Sequence, residues 1–430
     1  MIRIMVEAAG LAVGMCLPFA GNRIPLVWQV IGYVLFVALL LFVVFLPVRK
    51  RGEGRLRVLS DGIGLLYIFM ICLCVCIPAF VCALIWQHWV NALVGALVVV
   101  VVESVLFWSG MLRIFFTSVQ LALKWRILAV AVGWVPGLNV YVLWRMCRIC
   151  EKEVQLELTL TTSDICKSKY PIVFVHGVFF RDVDWACYWG RIPDALERNG
   201  AQVFFGRQQS ALPVKESAEE LVKTVEEILA QTGCEKVHII AHSKGGLDAR
   251  YAISVLGLDK KVKSLTTVNT PHRGCLFAEY LLTKASEKLR TKIAAAYEAT
   301  LRKFGDTSPD FLGAVEDLTN SRCMQLSEQM PDKEGVYYQS VGSAQVPRFA
   351  RRKFPFNLSY PFVKRFDGEN DGLVAVASMK WGERFIFAQT HGKRGLSHAD
   401  MVDLARENID GFDVRQFYID LVRDLKDRFG

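Results

Sequence analysis

The first third of the chain contains uncharged apolar runs that are too long for the core helices of a water-soluble domain. Residues 27–48 and 62–86 carry no charge, and residues 90–110 contain Glu103 as their one acid. A helix needs about 20 mostly apolar residues to cross a bilayer. These three segments are therefore predicted to span a membrane, and residues 4–20, interrupted by Glu7, form a fourth candidate.

A further apolar segment, residues 127–144, allows two interpretations. Gly133, Pro136 and Gly137 interrupt it, and basic residues flank it on both sides. It forms either a fifth span or a re-entrant hairpin, because irregular backbone inside a bilayer is tolerated only where protein or water covers it. We therefore predict a membrane region at 1–150 with four to five apolar helices.

The basic residues indicate how this region is oriented. Residues 1–150 hold twelve Lys and Arg against four Asp and Glu, which gives eight of the nine net positive charges of the chain. Five of these cations lie between Arg49 and Arg57, and Arg145 and Arg148 follow the ambiguous segment. Short cytoplasmic loops are enriched in Lys and Arg, so the domain after residue 150 is expected on the cytoplasmic side. Charge that flanks membrane helices does not indicate a nucleic-acid surface.

The cysteines after residue 150 support the same compartment. There are five of them, and an odd number argues against a fully paired disulfide framework. We therefore expect a reducing environment around this part of the chain.

Glu103 raises the question of a transport path, since ionisable groups inside a membrane often mark one. Glu7 lies near a segment end and His88 lies in a loop, so Glu103 stands alone. The sequence favours an acid that faces a partner on a neighbouring helix.

After a linker predicted at 151–166, the pattern of residues 167–430 is typical of a doubly wound, mostly parallel α/β sheet. Short apolar runs alternate with segments whose apolar residues recur at helical spacing. The predicted strands are residues 171–176, 201–206, 237–240 and 264–268, and the predicted helices are residues 216–230 and 245–256.

The motif Ala241-His242-Ser243-Lys244-Gly245-Gly246 lies between a predicted buried strand and a predicted helix. A nucleophilic serine on such a tight turn needs small residues two before and two after it, because the strained backbone crowds its neighbours. Ala241 and Gly245 occupy those positions, with Ala where Gly is commoner. Ser243 is therefore the candidate nucleophile.

The turn after the first strand, His176-Gly177-Val178, is the candidate source of an oxyanion-hole donor. Backbone N–H groups aimed at the developing oxyanion stabilise acyl transfer. The expected pair is the N–H of Val178 and the N–H of Lys244. His176 is interpreted as a structural turn residue.

The catalytic acid and base should follow the nucleophile in the order Ser, Asp or Glu, His. Asp371 lies in a turn-like stretch suited to a strand end, and His398 lies just before a helical run predicted from Met401. Asp367 and His391 remain alternatives at this point. His242 and His272 lie too close to the nucleophile strand and are expected around the site rather than as its base.

With these residues identified, residues 167–430 resemble the bacterial triacylglycerol lipases of the α/β-hydrolase superfamily. The resemblance covers PIVFVHG, VHIIAHSKGGLDARY, LTTVNTPHRG, ENDGLV and GLSHAD, in that order. It implies Ser243 as nucleophile, Asp371 as orienting acid, His398 as base, and Val178 and Lys244 as oxyanion-hole donors. No organic cofactor is implied.

The resemblance also implies a possible metal ligand. Asp400 matches a carboxylate that in some of these lipases holds calcium. The upstream stretch that should supply a partner acid has the sequence Arg351-Arg352-Lys353 instead. The sequence therefore favours Asp400 as a helix cap over calcium.

The segment from about 276 to 330 is too long for a simple crossover between strands. It holds two sets of apolar residues at helical spacing, which is typical of amphipathic helices packed on the core or of a lid over Ser243. The sets are Leu282, Ala285, Leu289, Ile293 and Ala296, and then Phe311, Leu312, Val315 and Leu318. The whole pattern predicts a membrane-anchored lipase or esterase acting on lipid-like esters. An acyltransferase with the same triad and a non-enzymatic membrane scaffold are the alternatives.

Overall fold

The chain divides into two compact units, residues 1–160 and 161–430. The computed structural model describes residues 2–20, 24–45, 54–86, 89–121, 123–133, 135, 137–159, 163–178, 188–209, 211–303, 306–346, 356–390 and 394–430. Arg49, Lys50, Arg51, His88, Pro136, Arg351, Arg352, Lys353 and His391, which entered the predictions, lie outside these residues.

All secondary-structure elements in the described residues of the first unit are helices. Its helices are α1 (Ile2–Ala20), α2 (Leu26–Phe45), α3 (Gly54–Trp86), α4 (Trp89–Thr117), α5 (Leu123–Ala131) and α6 (Leu138–Thr159). The first four are long and apolar enough to cross a membrane. Many of their large apolar side chains are exposed, such as Leu35 at 65% and Val100 at 60%, as expected for helices that face lipid.

The ambiguous segment 127–144 belongs to two helices, and the choice between a fifth span and a re-entrant hairpin stays a prediction. The helix α5 has nine residues and ends at Ala131, and α6 starts at Leu138. Between them Gly137 adopts φ +80°, a left-handed conformation that interrupts the helix.

The predicted linker 151–166 begins within α6, which continues to Thr159. The reason is Glu153, which is fully buried. Its carboxylate accepts hydrogen bonds from Arg55 Nη1 at 2.5 Å, Ser118 Oγ at 2.6 Å and the backbone N–H of Val119 at 3.0 Å. These contacts attach α6 to the start of α3 and to the turn after α4.

The second unit is a parallel six-stranded sheet covered by helices on both faces, as predicted. Its strands are β1 (Ile172–Val175), β2 (Val203–Phe205), β3 (Val237–His242), β4 (Val262–Val268), β5 (Tyr337–Ser343) and β6 (Arg384–Ala388), in the order β2-β1-β3-β4-β5-β6. All five pairings are parallel. Its helices are α7 (Ile192–Arg198), α8 (Val214–Thr232), α9 (Lys244–Ser254), α10 (Leu276–Lys284), α11 (Glu287–Lys303), α12 (Phe311–Glu316), α13 (Asn320–Gln329), α14 (Phe356–Asp367), α15 (Val376–Met379) and α16 (Val414–Phe429).

Each face of the sheet has its own apolar core. Phe174 and Ile240 pack with α7 and α16 on one face, while Val173 and Ile239 pack with α8 and α9 on the other. Strands buried on both faces are continuous apolar runs, which explains why the sequence located them well.

The segment 276–330 contains four helices, α10 to α13. The apolar spacing across Leu282 and Leu289 does not belong to one helix, because the chain turns at Ala285. On α11, Leu289, Ile293 and Tyr297 are 49%, 43% and 46% exposed, while Ala294 and Leu301 are buried. The apolar stripe predicted from spacing therefore faces outward, not the core.

Candidate active site

The nucleophile candidate lies where β3 passes into α9. Ser243 has φ 55° and ψ −130°, a strained conformation for a residue with a side chain. Its N–H donates to Val268 O at 2.9 Å, and it is 7% exposed. The turn holds the Ser243 side chain at the carboxyl ends of the parallel strands, where ligands bind in open α/β sheets.

The glycines around Ser243 allow three segments to meet. A Cβ at Gly245 would lie 2.4 Å from His176 O, and one at Gly246 would lie 2.1 Å from Thr270 Oγ1. A Cβ at Gly177 would lie 2.8 Å from Cβ of Ser243. The turn that carries Val178 therefore approaches the nucleophile as closely as the backbone allows.

The two predicted oxyanion-hole residues flank this contact. Lys244 is the first residue of α9, so its N–H has no acceptor within the helix. Its ammonium is buried and donates to Asp248 Oδ1 at 2.6 Å and Ser217 Oγ at 3.0 Å, which fixes the start of the helix. Val178 is buried against Ala211, Leu301 and Ala314.

The structure brings the predicted acid and base together. His398 Nδ1 lies 2.7 Å from Asp371 Oδ2, and the His398 N–H donates to Asp371 O at 3.0 Å. The ring of His398 lies 4.4 Å from the ring of His242, the residue before Ser243. Nδ1 faces Asp371, so the other ring nitrogen, Nε2, points away from that carboxylate.

The carboxylate of Asp371 accepts a dense set of hydrogen bonds. Its Oδ1 accepts from the N–H groups of Leu373 at 2.9 Å and Val374 at 2.8 Å. Its Oδ2 also accepts from Asn269 Nδ2 at 2.6 Å. The strand end expected at Asp371 is wrong, because the residue lies in a tight turn between α14 and α15. The backbone N–H groups of this turn, rather than a strand, hold its carboxylate in place.

Sequence reasoning gave Asn269 no role. It directly follows β4, has φ +48°, and also donates to Ser343 Oγ at 2.8 Å. The sequence feature that could have identified Asn269 is an amide side chain immediately after a buried strand, at the same carboxyl end of the sheet as Ser243. Tyr188, whose hydroxyl lies 2.7 Å from His242 Nδ1, was missed as well.

The rival acid and the other histidines have structural partners. Asp367 accepts the N–H groups of Leu276 and Phe277 and so caps α10. His176 has both ring nitrogens near backbone carbonyls, Gly177 O at 2.7 Å and Gln208 O at 2.9 Å. Burial, reinforced by a neighbouring charged form of His398, holds the pKa of His242 well below its usual range. His242 is therefore neutral beside His398 and does not compete as a base.

The loop after His398 is fixed by arginines. Arg191 donates to both carboxylate oxygens of Asp403, from Nε at 2.6 Å and Nη2 at 2.7 Å. Arg394 Nη2 donates to Asp400 Oδ1 at 2.7 Å, and Ser397 donates to Asp400 Oδ2 through N at 2.8 Å and Oγ at 2.7 Å. The helical run predicted from Met401 is wrong: a short 3₁₀ turn, Asp400–Val402, ends at Asp403 with φ +54°.

These contacts do not fit calcium at Asp400. Calcium takes six to eight oxygen ligands, whereas both Asp400 oxygens already accept hydrogen bonds and one faces a guanidinium. Across the described ranges, no group of three or more His, Cys, Asp and Glu could hold a metal. Asp400 is not a helix cap either, because it accepts from the residue three positions earlier rather than from a following helix.

Comparisons with known proteins agree with this architecture. Residues 170–339 match the family model of the alpha/beta hydrolase fold. A triacylglycerol lipase of Pseudarthrobacter phenanthrenivorans is 31% identical over 199 residues, covering 41% of this chain and 62% of that protein. A triacylglycerol lipase of Vibrio cholerae is 29% identical over 283 residues, covering 58% of this chain and 89% of that protein. The Bacillus licheniformis lipase BlEst2 in mature form has 18% identity and a TM-score of 0.45 over 60% of this chain and 94% of that one.

The second unit is therefore an α/β-hydrolase domain. Its sequence is similar to those of bacterial triacylglycerol lipases, the family that its motifs resemble. The chain spans less than two thirds of the Pseudarthrobacter relative's length.

We predict that the hydrogen bond from Asn269 supports Asp371 as the partner of His398. Asn269→Asp keeps the shape and tolerates positive φ, but it places a second carboxyl against Asp371, and two such groups do not both ionise easily. Ester hydrolysis at neutral pH should fall about a hundredfold in kcat with little change in KM, an effect of about 2.7 kcal/mol. Ser343→Ala, which removes the other acceptor of the same amide, is the control and should retain most activity. Equal losses in both variants would contradict this role.

We also predict that arginine, not calcium, supports the histidine loop. Arg394→Gln should destabilise the folded domain by about 2 kcal/mol, because it leaves the buried Asp400 carboxylate with one fewer charged partner. Arg384→Gln is the matched control, since its partner Asp424 is partly exposed. Thermal unfolding of the purified full chain should be unchanged by a chelator followed by dialysis. A lower melting temperature that calcium restores would contradict the assignment.

Proposed function

We propose that this chain is a membrane-anchored serine hydrolase that cleaves carboxylic esters of glycerolipids through an acyl-enzyme on Ser243. The observation that carries the proposal is the His398–Asp371 pair at 2.7 Å beside the strained turn of Ser243. A nucleophile activated by an oriented imidazole is what acyl transfer requires. The relatives named triacylglycerol lipase support an ester as the substrate.

In the proposed reaction, each group acts once in the acylation of Ser243 and once in the hydrolysis of the acyl-enzyme. His398 Nε2 takes the Ser243 proton as Oγ attacks the ester carbonyl, and Asp371 holds the imidazole tautomer. The N–H groups of Val178 and Lys244 stabilise the tetrahedral oxyanion. His398 then protonates the leaving alcohol, and water repeats the cycle to release the fatty acid and restore Ser243.

Four long apolar helices support the membrane anchoring. We propose that the hydrolase domain lies on the cytoplasmic side, because Arg145 and Arg148 lie in α6, just after the segment 127–144, and because α5, with nine residues, is too short to cross a bilayer.

The exposed stripe of α11 supports a lipid substrate. Leu289, Ile293 and Tyr297 face outward, and at the end of the same helix Leu301 packs with Val178. An apolar surface attached to an oxyanion-hole residue suits a lid that meets acyl chains at an interface. We therefore propose long-chain glycerides as substrates.

The first test addresses the nucleophile. Ser243→Ala should fold normally and lose ester hydrolysis by several orders of magnitude, because the covalent route is gone. A fluorophosphonate should label the wild-type chain and leave this variant unlabelled. Wild-type turnover in Ser243→Ala would reject the triad, and absence of labelling in the wild type would favour a non-enzymatic scaffold.

The second test addresses the substrate. Leu289→Gln and Ile293→Gln change exposed positions and should not unfold the domain. We expect about a tenfold loss on long-chain glycerides in micelles and no change on a short soluble ester. Met324→Gln, at a 47% exposed position on α13, is the control. Unchanged glyceride hydrolysis would exclude the lid. Acyl transfer to an added alcohol in preference to water would identify an acyltransferase.

The third test addresses orientation. A C-terminal epitope should resist protease in intact cells and be digested after lysis, because a cytoplasmic domain is shielded by the membrane. Digestion in intact cells would place the domain outside.

A further inference from the structure

The helices of the first unit form a cavity of about 270 Å³ that the hydrolase reaction does not use. Helices α3 to α6 all contribute to it. The residues that matter for its chemistry are Phe69, Glu103, Phe107, Trp108, Gly133 and Asn139. Val100 and Trp108, which also line it, are 60% and 58% exposed, so the cavity opens on the outer surface of the helices.

Glu103 lies at the centre of α4, 14 residues from either end, which is about 21 Å at the rise of an α-helix. Its side chain is 6% exposed, and neither carboxyl oxygen has a hydrogen-bond partner among the described residues. The partner on a neighbouring helix expected from sequence is therefore absent from the described part of the unit. A buried carboxyl without a partner costs several kcal/mol.

The same cavity borders a break in the helical backbone. Gly133 and Asn139 lie on either side of the interruption between α5 and α6, and Asn139 Nδ2 donates to Gly133 O at 3.3 Å. Non-helical backbone at membrane depth occurs where it lines a cavity, and interrupted helices of this kind form ligand sites near the bilayer midplane.

The aromatic side chains restrict the kind of ligand. The rings of Phe69 and Phe107 lie 5.5 Å apart, and those of Phe107 and Trp108 lie 5.3 Å apart at 80°. The described side chains that line the cavity include no Lys, Arg or His. Aromatic faces and a carboxylate together attract an ammonium group through cation–π and ionic contacts.

We propose that this cavity binds an amphiphile whose polar end is an ammonium group. The ammonium lies against Glu103 and the aromatic rings, and the alkyl chain leaves past Val100 toward the lipid. Binding satisfies the carboxylate that the unit itself leaves without a partner.

The test uses the full chain carrying Ser243→Ala in dodecyl maltoside, so that the result is independent of ester hydrolysis. The probes are tetradecyltrimethylammonium and a neutral analogue in which carbon replaces nitrogen. The cationic probe should raise the melting temperature with saturation, since a ligand that binds only the folded state stabilises it. The neutral analogue should not.

Glu103→Gln should weaken the cationic probe at least tenfold, whereas Glu7→Gln, whose carboxylate pairs with Arg3 on α1, should leave it unchanged. Trp108→Leu keeps the carboxylate and should also weaken binding, which keeps the proposal testable if Glu103→Gln fails to fold. Equal stabilisation by both probes, or cationic binding unchanged in either cavity variant, would overturn the proposal.

Discussion

The close approach of three chain segments around Ser243 is the constraint on which the active site depends. The backbone at Gly177, Gly245 and Gly246 leaves no room for a Cβ. This packing places the end of β1 against the start of α9, and the strained φ of Ser243 is the cost of presenting its side chain between them. The proposed oxyanion donors and the proposed nucleophile thus share one rigid contact.

The acid and base are fixed differently, by polar contacts on loops. Asp371 receives donors from Asn269, Leu373 and Val374, and Gln345 Nε2 binds its carbonyl at 2.7 Å. Two distant segments, at Asn269 and Gln345, together with the residues that follow Asp371, therefore determine the position of this residue. A carboxylate held by several hydrogen bonds keeps one orientation, which is what positioning an imidazole requires.

The features that could be predicted from the sequence are those that depend on residues close to each other in the chain. The strand, the serine turn and the helix at 237–254 are local, so their pattern identifies them, and long uncharged runs identify membrane helices in the same way. The Arg191–Asp403 pair joins residues 212 positions apart, and no spacing rule selects these two charges among many. Exposure of Leu289 was also unpredictable, because buried and exposed apolar stripes have identical spacing. The surroundings of the Glu103 carboxyl, which has no hydrogen-bond partner among the described residues, depend on three other helices and so could not be predicted from local spacing.

The residues of the proposed catalytic site come from two parts of the chain that are synthesised at different times. The strands β1 and β3 and the helix α9, which carry the oxyanion donors and Ser243, lie within residues 172–254, whereas Asp371 and His398 come from the last third of the chain. Parallel pairing requires long crossovers, and such contacts form late in folding. The ribosome therefore releases the proposed nucleophile well before the proposed base. If Ser243, Asp371 and His398 act together as proposed, a nascent domain holds an inert serine until its final segments have docked.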